Sequence, residues 1–168
     1  MELGYAVETV SALSGESGVI SSTEIRKLIQ RGNVAEAARL MGHPYSLHGV
    51  VVRGDQRGRT IGYPTANIDY SNQKVVPPNG IYACWARLGG EKHKAAVNIG
   101  INPTFTPDKK SINVEAYLLD FDREIYGKML QLDFIYRLRD ELRFDSVQTL
   151  VEQIGRDVEQ TREILGTG

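Results

Sequence analysis

The 168-residue sequence is long enough to bury one conventional core, alone or beside part of a neighbour. A formal net charge of −1 and a near-neutral isoelectric point exclude a chain-wide pull toward nucleic acid or an anionic membrane, so any charge logic is local. The single cysteine, Cys84, excludes an intramolecular disulfide; with no basic-apolar leader and no apolar run of spanning length, the expectation is a soluble cytoplasmic protein without membrane or nucleic-acid partners.

In chain order, Val7 to Leu13 reads as a short strand. Ser21-Ser22-Thr23-Glu24 then forms an S-x-x-E capping box that opens a helix from Ser22 to Gln30, and Asn33 with Glu36 repeats the device. That second helix, Val34 to Met41, stops at Gly42 with Pro44 close behind. From Ser46 to Tyr136 the pattern changes to short β-branched and aromatic runs punctuated by Gly, Pro, Asn and Asp. Strands are predicted at Leu47 to Val52, Gly80 to Leu88, Lys94 to Ile99, Asn113 to Phe121 and Met129 to Tyr136, with Gly89-Gly90 as a hairpin turn. Sequential strands with short links predict a mainly β fold, a small antiparallel barrel of Greek-key type with about six strands. Tyr82 and Trp85, on its central strand, are expected in the core. Asp145 caps a last helix in which Val147, Leu150, Val151, Ile154, Val158 and Leu165 recur near the helical period, and one face of it is expected to close the barrel. His43, His48 and His93 have no metal-ligand spacing with Cys84.

The chemistry concentrates between Arg53 and Asn67, where Gly54, Gly58 and Gly62 recur every fourth residue among basic side chains. Such glycines let backbone amides approach an anion, and Arg57 and Arg59 supply the local positive charge that the neutral balance conceals. The stretch is neither a Walker A loop nor a G-x-G-x-x-G fingerprint, and by its glycines alone it reads equally as a hairpin loop that binds nothing. In an extended Pro64-Thr65-Ala66-Asn67 segment, Thr65 and Asn67 point the same way and present a hydroxyl and an amide oxygen, hard ligands suited to Mg²⁺ beside phosphate. Satisfying turn backbone is the commoner use of such residues.

The run Gly54 to Asn67 resembles the G-D-x-x-G-R-x-x-G-x-P-T-A-N signature of riboflavin kinases, and the resemblance continues in order through most of the chain, from about Tyr45 to Leu165. Gly80-Ile81-Tyr82, Asn98-Ile99-Gly100, Asn102-Pro103-Thr104-Phe105, Val114-Glu115, Tyr126-Gly127, Leu138-Arg139 and Phe144-Asp145-Ser146 are similar to the family's landmarks. Ile20-Ser21-Ser22-Thr23-Glu24-Ile25-Arg26 resembles a motif in the adenylyltransferase module that precedes the kinase in bacterial bifunctional FAD synthetases. The organisation expected is therefore residues 1–44 as a remnant of that module plus helical linker, and 45–168 as the kinase barrel. No H-x-G-H motif occurs, so FMN adenylyl transfer is expected to be absent and the Ser-Ser-Thr motif to act as a plain helix cap.

The resemblance implies transfer of the γ-phosphoryl group of ATP to the terminal ribityl hydroxyl of riboflavin, giving FMN and ADP. It assigns Mg²⁺ to Thr65 and Asn67, and a phosphate-covering flap to Gly54, Gly58, Arg59, Gly62 and Pro64. Glu115 becomes the base, although a Glu on an antiparallel strand ordinarily faces solvent. Arg139 would contact the flavin or product phosphate, Phe144 would line the ring slot, and Glu141 is left to pair with Arg139 or Arg143. Tyr117 stands where many relatives carry histidine. The rival classes are a non-catalytic oligonucleotide- or oligosaccharide-binding barrel, whose basic aromatic groove the sequence lacks, and a flavin-binding module without catalysis, against which Thr65, Asn67 and Glu115 together argue.

Overall fold

The computed structural model describes residue 8 and residues 14–15, 18–54, 56–102 and 111–166. Apart from Glu8, the expected strand from Val7 to Leu13 lies outside the described residues, as do Asp55 and Pro103 to Phe105. Two-residue strands β1 (Ser14–Gly15) and β2 (Gly18–Val19) pair with each other ahead of α1 (Ser22–Gln30). Ser21 caps α1 as expected, its hydroxyl accepting from the Glu24 amide at 3.2 Å. Asn33 does not cap α2 (Val34–Met41) through its side chain: its backbone, at φ −80° and ψ 56°, lacks the extended form that aims a cap at the first turn. Glu36 is instead drawn into a pair with Arg39 one turn on, at 2.7 Å. Gly42 ends α2 in the left-handed region, at φ +75°.

Six strands follow: β3 (Tyr45–Val52), β4 (Ala66–Tyr70), β5 (Gly80–Leu88), β6 (Glu91–Asn102), β7 (Ser111–Leu118) and β8 (Met129–Arg139). All pairings are antiparallel and the ring closes in the order β3-β4-β7-β6-β5-β8. The β4-to-β5 and β7-to-β8 connections each pass two strands, which gives the Greek-key character. Gly89 and Gly90, at φ +56° and +94°, join β5 to β6 through the mirror-image turn that matches strand twist. The strand that the alternation pattern missed is β4, five residues carrying Asn67 and Asp69 among apolar neighbours, too short to signal on its own.

Leu47, Val51, Ile68, Val97, Leu132 and Phe134 point inward and are almost fully buried, each worth roughly 1.5–3 kcal/mol relative to exposure. Tyr82 joins them, edge-on to Phe134 at 5.4 Å between ring centres. Trp85 does not. The period-2 alternation turns it to the outer face, where the Lys92 ammonium sits 3.7 Å from its ring centre. Val34 of α2 belongs to the barrel's core, so the leading helices pack onto the barrel.

The last helix, α4 (Val147–Leu165), is capped by the Ser146 hydroxyl on the Thr149 amide at 3.2 Å, one residue later than Asp145. Nor does it close the barrel, because strand hydrogen bonds already do. It lies across the outside of β5, β6 and β8 instead. Two ion pairs fasten it there: Arg139 grips Asp157 at 2.6 and 2.9 Å, and Arg162 grips Asp120 at 2.6 and 2.7 Å.

Candidate active site

Between β3 and β4 the glycine-rich segment folds into a single helical turn, α3 (Arg57–Thr60), rather than an open hairpin loop. The glycines have separate spatial reasons. A Cβ on Gly54 would stand 2.2 Å from the Asn67 amide nitrogen, so the bare backbone there makes room for that side chain. Gly58 lies equally close to the Tyr63 carbonyl, and its own carbonyl accepts from the Tyr63 amide at 2.8 Å. Gly62 occupies the left-handed region, at φ +87°. The segment thus folds tightly back over the start of β4.

Register assembles the rest. Asn67 on β4 pairs with Glu115 on β7, Glu115 with Asn98 on β6, Asn98 with Ile81 on β5, and Ile81 with Arg139 on β8. Directly paired residues share a face, so these five form one row across the outside of the barrel. Glu115 is the row's acid and is only partly exposed. Its Oε2 accepts from the Thr65 hydroxyl at 3.1 Å and its Oε1 from the Asn113 amide at 2.5 Å, so both oxygens are held in place. Tyr117, on the same face, stacks edge-to-face with Tyr63 at 5.2 Å, and burial pushes its phenol pKa up, keeping it protonated. Leu119, inside the strand predicted to run to Phe121, lies beyond the end of β7 and is buried.

Two cavities meet at Thr65, beside the Glu115 end of this row. The first, about 360 Å³, is lined among others by Arg59, Pro64, Thr65, Phe121, Arg123 and Tyr126. The second, about 330 Å³, runs between the barrel wall, the flap and α4, past Tyr63, Glu115, Asn98, Ile81, Phe144 and Ile154. Thr65 borders both. One chamber therefore carries both signs of charge, with Arg59 and Arg123 beside Asp122 and Glu124, and the other has a largely apolar far end, with a carboxylate beside their junction. Among the described residues no three His, Cys, Asp or Glu side chains gather as a metal cluster. The Thr65 hydroxyl bonds the Glu115 carboxylate, while Asn67, which pairs with Glu115 across the sheet, lines neither cavity and has its amide against Gly54; these are hard oxygens of the kind that Mg²⁺ supplements with phosphate and water.

Of the residues singled out from sequence, Thr65, Asn67 and Glu115 are brought together, Arg59 and Pro64 face the first cavity, and Gly58 and Phe144 face the second. Arg139 lines the second cavity, but its guanidinium is engaged by Asp157 and by the Asp140 carbonyl. Glu141 accepts from the Asn79 amide at 3.1 Å. Sequence reasoning gave no role in the site to Tyr63, Ile81, Asn98 or Ile154, although Ile81 and Asn98 fall in the family landmarks and Ile154 in the apolar period of the last helix. Their convergence depends on cross-strand register and on where α4 lies.

The flavokinase family profile, described as riboflavin kinase, matches residues 41–165. A bifunctional riboflavin kinase/FMN adenylyltransferase of Listeria monocytogenes is 42% identical over 94% of this chain and 50% of its own length. The protein of the same description from Escherichia coli is 40% identical over 99% of this chain and 52% of its own. The chain thus spans about half the length of these relatives. Among solved structures, a macrolide-efflux protein from Streptococcus pneumoniae superposes with a TM-score of 0.85 at 41% identity, over 91% of this chain and 50% of that one. Riboflavin kinase from Trypanosoma brucei superposes with a TM-score of 0.54 at 28% identity, over 73% of this chain and 77% of its own.

Proposed function

This chain belongs to the riboflavin kinase family of ATP-dependent phosphotransferases, and we propose that its two cavities divide the substrates at Thr65. The first receives the nucleotide, with Arg59 near its phosphates and Arg123 held back by Glu91; the second receives riboflavin, the ring toward Phe144 and Ile154 and the ribityl chain toward Glu115. One observation carries this reading: the residue shared by the chambers hydrogen-bonds the carboxylate that lines the flavin side.

Phosphoryl transfer needs positioning, charge neutralisation and a group to take the acceptor's proton. Glu115 takes it. As the terminal ribityl oxygen bonds to the γ-phosphorus, its proton passes to Glu115 and the bond from phosphorus to the bridging oxygen breaks, releasing ADP and FMN. Thr65 and Asn113 hold the carboxylate so that it need not reorganise at that moment. Thr65 and Asn67 are the residues that would hold Mg²⁺, which supplies neutralisation of phosphate charge. Arg139 serves the flavin chamber indirectly, by tying α4 to the barrel as its far wall.

Residues 1–44 fit the end of an adenylyltransferase module, a reading supported by the Escherichia coli relative, whose similarity extends through them. The kinase unit is proposed to begin near Tyr45, with α1 and α2 docked on it. The fully buried, unpaired Cys84 suits a reducing cytoplasm. No helix among the described residues is long and apolar enough to cross a membrane.

Incubating the purified chain with riboflavin, ATP and Mg²⁺ and separating the flavins by chromatography tests the proposal. FMN is the expected product. No FMN above an enzyme-free control overturns the kinase reading, whereas FAD overturns the expectation that this chain lacks adenylyl transfer.

A further inference from the structure

Asn98 is paired across the sheet with Glu115 on one side and Ile81 on the other, and it lines the second cavity. Its Oδ1 is buried and has no hydrogen-bond partner, the sole side-chain atom in that condition among the described residues. A buried acceptor left without a donor carries its desolvation cost uncompensated, so a native orphan calls for a partner that arrives later. The neighbours on the barrel wall supply none: the Glu115 carboxylate can only accept, Ile81 has no polar atom in its side chain, and the Arg139 guanidinium is committed to Asp157 and Asp140. The missing donor must therefore come from whatever enters the cavity.

Resting on the flavin assignment above, we propose that Asn98 is a substrate-positioning residue whose Oδ1 accepts a hydrogen bond from an interior hydroxyl of the ribityl chain. The row sets the order along the ligand. The reacting terminal hydroxyl lies at Glu115, and the apolar ring end lies toward Phe144 and Ile154. Asn98 stands one strand from Glu115, about 4.8 Å along the row. That is the reach of a hydroxyl one or two carbons inward from the terminal one, and the polyol's donors there are hydroxyls. With the terminal hydroxyl at Glu115 and an interior one at Asn98, the chain is held at two points and the attacking oxygen is aimed at the first cavity. Asn98 thereby makes the site select a polyol side chain over an alkyl one.

Binding, read by quenching of flavin fluorescence, tests this without depending on turnover. Asn98→Leu should weaken riboflavin binding about tenfold, leave the ATP KM within about twofold, and leave the thermal midpoint equal or higher because a buried orphan is gone. Against 3′-deoxy and 4′-deoxy riboflavin, the natural chain should bind one analogue about tenfold more weakly than riboflavin, and Asn98→Leu should bind that analogue and riboflavin alike. Asn98→Ser, which keeps an acceptor, should recover part of the discrimination and stands in if the Leu variant does not fold. Riboflavin affinity within about twofold of the natural chain, or equal losses for riboflavin and both analogues, overturns the proposal. Flavin binding without FMN formation would count against the kinase reading alone.

Discussion

At Glu115 one carboxylate oxygen accepts from the Asn113 amide and the other from the Thr65 hydroxyl, and that hydroxyl can turn to accept from an amide nitrogen, so Glu115→Gln is accommodated with its nitrogen toward Thr65. Glu115→Gln is expected to lower kcat by about a hundredfold or more while the ATP KM moves only a few-fold, as steady-state kinetics would read; an unchanged kcat removes Glu115 as the base. Gly54→Ala tests the other end of the row. The added methyl would meet the Asn67 amide, so this variant is expected to share the phenotype of Asn67→Ala, a weakened use of Mg-ATP with unaltered riboflavin affinity. If Gly54→Ala instead keeps Mg-ATP kinetics while Asn67→Ala loses them, the glycine has another role. Thr65 and Asn67 stood out in sequence by their spacing as hard-oxygen candidates, and Glu115 only through the family resemblance. Their adjacency was not legible, because Asn67 and Glu115 lie far apart in sequence and meet only when β4 pairs with β7.

Among the elements, α4 is the one whose job the sequence misassigned. Its apolar period is plain, yet periodicity says that a face is buried and not against what. Leu150 and Ile154 look onto the second cavity, and Asp157 in the same stretch takes the Arg139 guanidinium in a pair with 5% and 19% side-chain exposure. Breaking so buried a pair from one side leaves a charge without its partner. Asp157→Ala is expected to cost about 3 kcal/mol in a urea titration and to weaken riboflavin binding more than ATP binding, because the chamber's outer wall loosens. Equal losses for the two ligands would point to general destabilisation. Trp85 makes the same point within a strand: its aromatic character marked β5 correctly, but the alternation that buries Tyr82 and Cys84 places Trp85 outside.

Across the whole molecule, acid stability should turn on Asp133, which β8 carries beneath the outer surface. Burial pushes its carboxyl up, but hydrogen bonds from Gln131, Arg87 and Ser46 outweigh that and hold it below the usual aspartate range. A folded-state pKa below the unfolded value of about 3.9 means stability that is complete above that pH and is lost as pH falls through the folded value. The urea midpoint should accordingly drop below about pH 4, and Asp133→Asn should be less stable at neutral pH yet show a shallower acid decline; an equally steep decline in that variant would shift the effect to other carboxylates. Because the donors come from β3, β5 and β8, this one acid ties together three strands of the ring.

By itself the sequence determined the β-rich class, the turn at Gly89-Gly90 and the cap at Ser21, since each depends on neighbours a few positions apart. The tertiary structure alone decided that β4 completes the ring, that α4 walls a chamber instead of sealing the barrel, and that Arg139 is committed to Asp157. It also left the Asn98 carbonyl oxygen waiting for a donor. These depend on strand register and on the packing of distant segments, and neither leaves a periodic trace along the chain.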